Sequence, residues 1–304
     1  MTTIDDLWKQ ICEIPDDDEP RLRFADEVEA SDPVWASYIR MMIRRTAEFR
    51  GGESFVDTEQ QPHLESGARW ARNLLQFVQR GSVDNVHFDR GFPAGIRLHP
   101  AVFCEYADLI LRLGPIRHVD FSHPYDDDDR PVLDEHGHLA RFPLEEVLAC
   151  PQLARLDSIG FIHTNVGNTG GALIAACPLL TRCLYLDFFY TDLYDESVIA
   201  LAEGPLTGKM LGMRGDWLDH FSEYSEEGLD DLGEYKKYVF AEKGKKLEQR
   251  LGYIPWLHWA NARSRYDLRW YFEHGHTPKV KPGTLPPSDD WYTVPPTRYR
   301  GREW

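Results

Sequence analysis

Apolar positions recur at helical spacing through the first third of the chain and at strand spacing after it. In residues 3–13, TIDDLWKQICE, Ile4, Leu7, Trp8 and Ile11 share one helical face, with Thr2 or Thr3 as the N-cap. The proline-bounded run PDDDEP breaks that helix. RLRFADEVEASDPVWASYIRMMIRRTAEF then predicts two helices divided by Ser-Asp-Pro. Leu22, Phe24, Ala25 and Val28 face inward on the first, and Trp35, Tyr38, Ile39, Met42 and Ile43 on the second. Asp32 caps the second helix, with Pro33 at its first position. After a polar loop, ARWARNLLQFVQR reads as a fourth amphipathic helix, with Trp70, Leu74, Leu75 and Phe77 or Val78 inward.

From about Val83 the pattern changes, and short strand-like pieces alternate with helix-like ones. Pro151, Pro178 and Pro205 stand 27 and 27 residues apart, in similar surroundings: ACPQLARLDSIGF, ACPLLTRCLYLDFF and EGPLTGKMLGMRG. Each unit reads as proline, strand, Asn/Asp/Gly-rich turn, helix. The stretch FCEYADLILRLGPIRHVDFSHP fits the same scheme, with a helix over 103–113 and a strand over 116–121. Pro115 lies 36 residues before Pro151, and the surplus is the acidic insert YDDDDRPVLDEHGH. A 27-residue period with one strand and one helix per unit lies in the range of leucine-rich repeats, whose units bury their apolar faces only by stacking. The competing reading is an ordinary α/β domain with coincident prolines; the matching Cys-Pro pairs at 150–151 and 177–178 favour the repeat. Cys183, Leu184, Tyr185 and Leu186 can be phased as a strand in two ways.

After Asp216 the repeat fades. GEYKKYVFAEKGKKLEQRLGY predicts a charged helix broken or bent near Gly244. IPWLHWANARSRYDLRWYFEHGH continues helically with Trp256, Trp259, Tyr266, Trp270, Tyr271 and Phe272, aromatic enough to cap a solenoid's last apolar edge. The end is proline-rich and extended. The expected fold is therefore α/β: a short leucine-rich-repeat-like solenoid with helical N-terminal and C-terminal caps. It divides into a cap over 1–82, repeats over 83–231, and a basic aromatic cap with a tail over 232–304.

Charge sharpens this division. The 304 residues carry a net −16, but 232–304 hold 14 Lys/Arg against 8 Asp/Glu, a net of +6. The remaining 20 Lys/Arg and 42 Asp/Glu give 1–231 a net of −22. An acidic body repels nucleic acid and anionic membrane, and a basic tail can dock on it or on an acidic partner. Five cysteines without a C-x-x-C pair read as free thiols in a reducing cytoplasm. The N-terminus has no secretory signal pattern, and no stretch is apolar enough to span a bilayer.

PDDDEPRLRFADEVEASDPVWASYIRMM resembles the short N-terminal repeat-companion domain of many bacterial proteins that carry degenerate leucine-rich-like repeats. The resemblance rests on Asp16, Asp17, Asp18, Arg21, Leu22, Phe24, Ala25, Asp26, Asp32, Pro33, Tyr38, Ile39 and Arg40. Where the family usually has Trp-Leu after Ala-Asp, this chain has Glu27 and Val28. RGFPAGIRLHPAVFCEYADLILRLGPIRHVDF resembles the segment that joins that domain to the repeats. The resemblance spans roughly residues 6–215. It implies a scaffold-like role and no catalytic residues.

Candidate chemistry is thin. EHGH occurs at 135–138 and again at 273–276, so His136, His138, His274 and His276 could hold a metal if insert and tail met. Surface turns, with Gly275 as a helix C-cap, are the plainer reading. YDDDDR lacks the glycine and distal glutamate of an EF-hand loop. NVGNTGG lacks the Lys-Ser/Thr of a phosphate loop and reads as a turn into a helix. The expectation is a non-catalytic scaffold with no cofactor, binding a protein partner with a basic surface or peptide on the strand-lined face. His118, Asp120, Asp157, Tyr185, Asp187 and Arg214 are the candidate contacts. The alternatives are nucleic-acid association through 232–304 and a metal-dependent enzyme using the two EHGH segments.

Overall fold

A computed structural model describes residues 3–48, 64–78, 81–122, 142–162, 164, 166–188, 191, 193, 195–210, 212–215, 222–223, 239–240, 242–252 and 254–258. The helices α1 (Ile4–Glu13), α2 (Glu19–Val28) and α3 (Pro33–Glu48) form where the periodicity places them. Thr3 caps α1 reciprocally with Asp6. Asp32 caps α3 through Trp35 N at 3.1 Å. Leu7, Ile11, Phe24, Ala25, Val28, Ala36 and Ile39 make a small core that Phe92 completes from beyond residue 82. The other side of α3 gives Tyr38 and Met42 to the main core, so α3 serves both.

The fourth helix, α4, lies earlier than the periodicity predicts, at Leu64–Trp70. Trp70 stacks on Trp35 and Tyr38 and donates its indole N–H to Asp32 Oδ2 at 3.0 Å. Beyond it the chain tightens into i→i+3 turns, Leu74 N to Ala71 O and Phe77 N to Leu74 O. Trp70 and Leu74 are buried as expected, Phe77 and Val78 are both buried, and Leu75 is only partly so.

Six strands form one mixed sheet in sequential order: β1 (Val86–Asp89), β2 (Phe92–Leu98), β3 (His118–Ser122), β4 (Ser158–Ile162), β5 (Tyr185–Phe188) and β6 (Gly212–Gly215). β1 and β2 are an antiparallel hairpin; β2 to β6 are parallel. The helices α5 (Pro100–Ile110), α6 (Leu144–Leu148), α7 (Gly167–Ala176) and α8 (Asp195–Glu203) fall between consecutive parallel strands. α5 begins at Pro100 rather than at 103 because His99 caps it and Pro100 suits a first helical turn. Alternate strand residues Ile96, Val119, Ile159, Leu186 and Met213 join Phe103, Val147, Ile174 and Val198 of these helices in one core. Phe121, Phe161 and Phe188 run through it ring against ring, at 5.8 and 5.5 Å.

The 27-residue step of the prolines is the step of the backbone. Ser158, Tyr185 and Gly212 are register partners on successive strands. Leu153 N, Leu180 N and Thr207 N close matching turns on the carbonyls of Cys150, Cys177 and Gly204. Thr164 and Thr191 each donate a hydroxyl to the carbonyl three residues back, Phe161 and Phe188. Of the two strand phases, the one burying Leu186 and Phe188 is realised.

Two expectations need correction. The glycines of NVGNTGG are not a turn: the helix α7 begins at Gly167 and runs through Gly170 and Gly171. A Cβ at Gly171 would collide with Ser197, so that glycine lets α7 press against α8. The break near Gly244 is also displaced. A short pair, β7 (Ser222–Glu223) with β8 (Val239–Phe240), precedes α9 (Glu242–Leu251), which passes straight through Gly244 and stops at Gly252 with φ +87°. α10 (Pro255–His258) packs on β6, and Leu247, Ile254, Trp256 and Leu257 enter the main core. Among the described residues no helix is long and apolar enough to cross a membrane.

Candidate functional site

The sheet face turned away from the helices carries two polar rows. One runs His87, Gly95, His118, Ser158, Tyr185, Gly212 across the strands. The next runs Arg97, Asp120, Gly160, Asp187, Arg214. The period of two along each strand puts these rows on one side and the apolar rows on the other. His118, Asp120, Tyr185 and Asp187 therefore share the face expected of them, and Arg214 joins by register. Asp157 lies one residue before β4, 3.6 Å from Arg117 and 3.7 Å from Arg182. Asp120, Tyr185 and Asp187 differ from the expectation in one respect: all three are buried, presenting at most 8% of their surface. His136, His138, His274 and His276 lie outside the described residues.

Glycines shape the face. Gly95 lies between His87 and His118, and a Cβ there would stand 3.0 Å from His118 Cδ2 and 3.3 Å from His87 Cβ. Its bareness lets the rings of β1 and β3 close over β2 to 5.6 Å, edge to face. A bulge at His87/Phe88 sets the aim of His87. Gly160 does the same for Asp120, whose carboxylate leans into the space a Cβ at 160 would need.

The result is a compact group. Asp120 Oδ1 lies 2.9 Å from His118 Nε2, and Oδ2 lies 3.5 Å from His87 Nε2 and 3.6 Å from Arg97 Nη2. His118 Nδ1 shares a 2.8 Å hydrogen bond with Ser158 Oγ. Burial alone would raise the Asp120 carboxyl; His118 and His87 outweigh it and hold it well below the usual carboxylate range. The ligand-capable atoms of His87, His118 and Asp120 all lie within 4.8 Å of one another.

Ser158, His118 and Asp120 also stand in the order of a Ser–His–Asp relay. Ser158 is only 1% exposed, on a central strand. Its hydroxyl shares the 2.8 Å hydrogen bond with His118 Nδ1.

The His118-x-Asp120 pair is legible in sequence, because residues two apart on a strand share a face. His87, Arg97, Gly95 and Ser158 are not, because a hairpin register, a bulge and a 40-residue crossover bring them there. Compared with family models, with curated proteins and with solved structures, the chain gives no match.

Proposed function

We propose that this chain is a non-catalytic protein-binding scaffold: a short leucine-rich-repeat-like solenoid with a companion helical cap at its N-terminus. The observation that carries the reading is the 27-residue step, kept in register across β4, β5 and β6, with one helix between consecutive strands. Such a ladder presents a continuous surface along which a partner can lie. The partner is a protein with a basic surface or segment, because residues 1–231 carry a net of −22. The contact lies along the accessible edge of the polar face, where His87, Arg97, His118 and Asp157 keep partial exposure. Tyr185, Asp187 and Asp120 support that edge from beneath.

The test is to isolate the untagged protein from its native cell and identify what co-elutes in stoichiometric amount. A protein partner that dissociates as salt rises, and that binds more weakly to Asp157→Ala at low salt, is the expected result. Asp157 faces Arg117 and Arg182, so its loss leaves two cations toward a basic partner. Affinity unchanged in Asp157→Ala removes this edge from the reading. Salt-steep binding of short RNA in place of a protein replaces the reading itself.

A further inference from the structure

His87, His118 and Asp120 bring two imidazoles and a buried carboxylate together in a way that packing does not call for. The Nε2 of His87 is buried although the ring as a whole is partly exposed, and it makes no hydrogen bond. Asp120 Oδ1 is buried and accepts none either, despite its 2.9 Å approach to His118 Nε2. Both imidazoles lie close enough to the Asp120 carboxylate to lower its pKa, and all three groups face one small space. Buried polar atoms short of well-aligned hydrogen bonds call for a further partner.

We propose that His87, His118 and Asp120 form a binding site for a divalent transition-metal ion of the zinc class. Two imidazole nitrogens and one carboxylate oxygen are a ligand set that suits such ions and leaves a position for water or a partner's side chain. Ligands about 2.0–2.1 Å from a tetrahedral zinc stand roughly 3.3 Å from one another. Asp120 Oδ1 stands 2.9 Å from His118 Nε2, and one ligand atom from each of the three residues lies within 4.8 Å of the others, a spread that small side-chain movements close onto an ion. The surroundings fit as well. Ser158 holds His118 by Nδ1 and leaves Nε2 to face Asp120, the outer-shell arrangement that fixes a liganding ring. Gly95 and Gly160 provide the room that lets three side chains from two strands converge. Arg97 lies 3.6 Å from Asp120 Oδ2 and opposes a cation, leaving Oδ1 as the ligating oxygen. The site does not depend on the scaffold reading and stands whether or not a protein partner binds.

The experiment uses the full chain without a tag, stripped with a chelator and titrated with Zn²⁺, and separately with Co²⁺. The expected result is one equivalent of zinc, with a cobalt(II) spectrum of nitrogen and oxygen ligands and no thiolate band. His87→Ala, at a partly exposed position, should weaken zinc by about a hundredfold or more, and Ser158→Ala by about tenfold. Arg97→Gln should tighten binding about threefold, because it removes a nearby positive charge. A purely structural ion-pair cluster would not respond in that direction. Absence of stoichiometric zinc overturns the proposal. So does binding that His87→Ala leaves intact, or binding abolished by replacing His136, His138, His274 and His276 together. X-ray absorption of the wild-type zinc complex provides a reading without any variant: two imidazoles and oxygen support the site, and sulfur overturns it.

Discussion

Single residues of this chain act mainly by what they leave room for. Gly160 has Asp120 Oδ1 where its Cβ would be, whereas a Cβ at Gly208 would meet nothing within 4 Å. Gly160→Ala is expected to cost about 1–3 kcal/mol in denaturant unfolding, and Gly208→Ala to be neutral or stabilising by a few tenths of a kcal/mol. Equal midpoints for the two variants would mean that Asp120 swings clear without cost. The thiols are sorted in the same way. Burial pushes Cys183 up to about 12 and Cys12 up to about 11, and Cys104 is the exposed cysteine. Only the thiolate attacks a disulfide reagent, so near pH 8 Cys104 should label first and Cys183 only after unfolding. Mass mapping of the first labelled thiol checks this; early labelling at Cys183 would contradict the burial of β5.

At the scale of elements, the β1–β2 hairpin clamps the N-terminal helices to the sheet. Its two turn residues both have positive φ, Arg90 at +47° and Gly91 at +86°. Gly91 is pressed against Ile39, and its carbonyl accepts the Trp35 indole at 2.9 Å. Arg90 reaches back to Asp16 O and Asp18 Oδ1, both at 3.1 Å. PDDDEP is thus the acceptor of a hairpin arginine as well as a turn. Arg90→Ala should cost about 1–2 kcal/mol, at the low end for a buried ion pair because Asp16 and Asp18 are partly exposed. Arg90→Asn should recover part of it, because asparagine tolerates the left-handed backbone. If the two variants unfold at the same denaturant concentration, the backbone contributes nothing and the ion pairs everything. Elements with strong local signals were legible in the sequence: α1 by its cap, α3 by Asp32-Pro33, the strands by their 27-residue step. Those whose limits are set by distant contacts were not. Trp70 ends α4 through Trp35, Tyr38 and Asp32, and Ser197 decides what the glycines of α7 are for. Of the candidate site, the His118-x-Asp120 pair could be read and its third member, His87, could not.

At the scale of the whole molecule, a sheet that grows one strand at a time in one direction must end somewhere. Its start is protected by the antiparallel β1. Its far end, β6, is met by α10, with Trp256 fully buried. On the proposed repeat reading, the terminal unit determines whether the last strand stays ordered, because each strand is stabilised chiefly by its neighbours. Trp256→Ala should cost about 3–5 kcal/mol, and the loss should be uneven. Amides of β6 should lose hydrogen-exchange protection before those of β3, three strands away. The indole N–H of Trp256 is buried and without a hydrogen bond, so the ring acts here by volume rather than by its donor. Trp256→Phe keeps most of that volume, removes the orphaned donor, and should cost less than about 1.5 kcal/mol. If Trp256→Ala instead lowers protection equally in β3 and β6, the sheet unfolds as one cooperative block, and α10 is part of its core rather than a cap on its end.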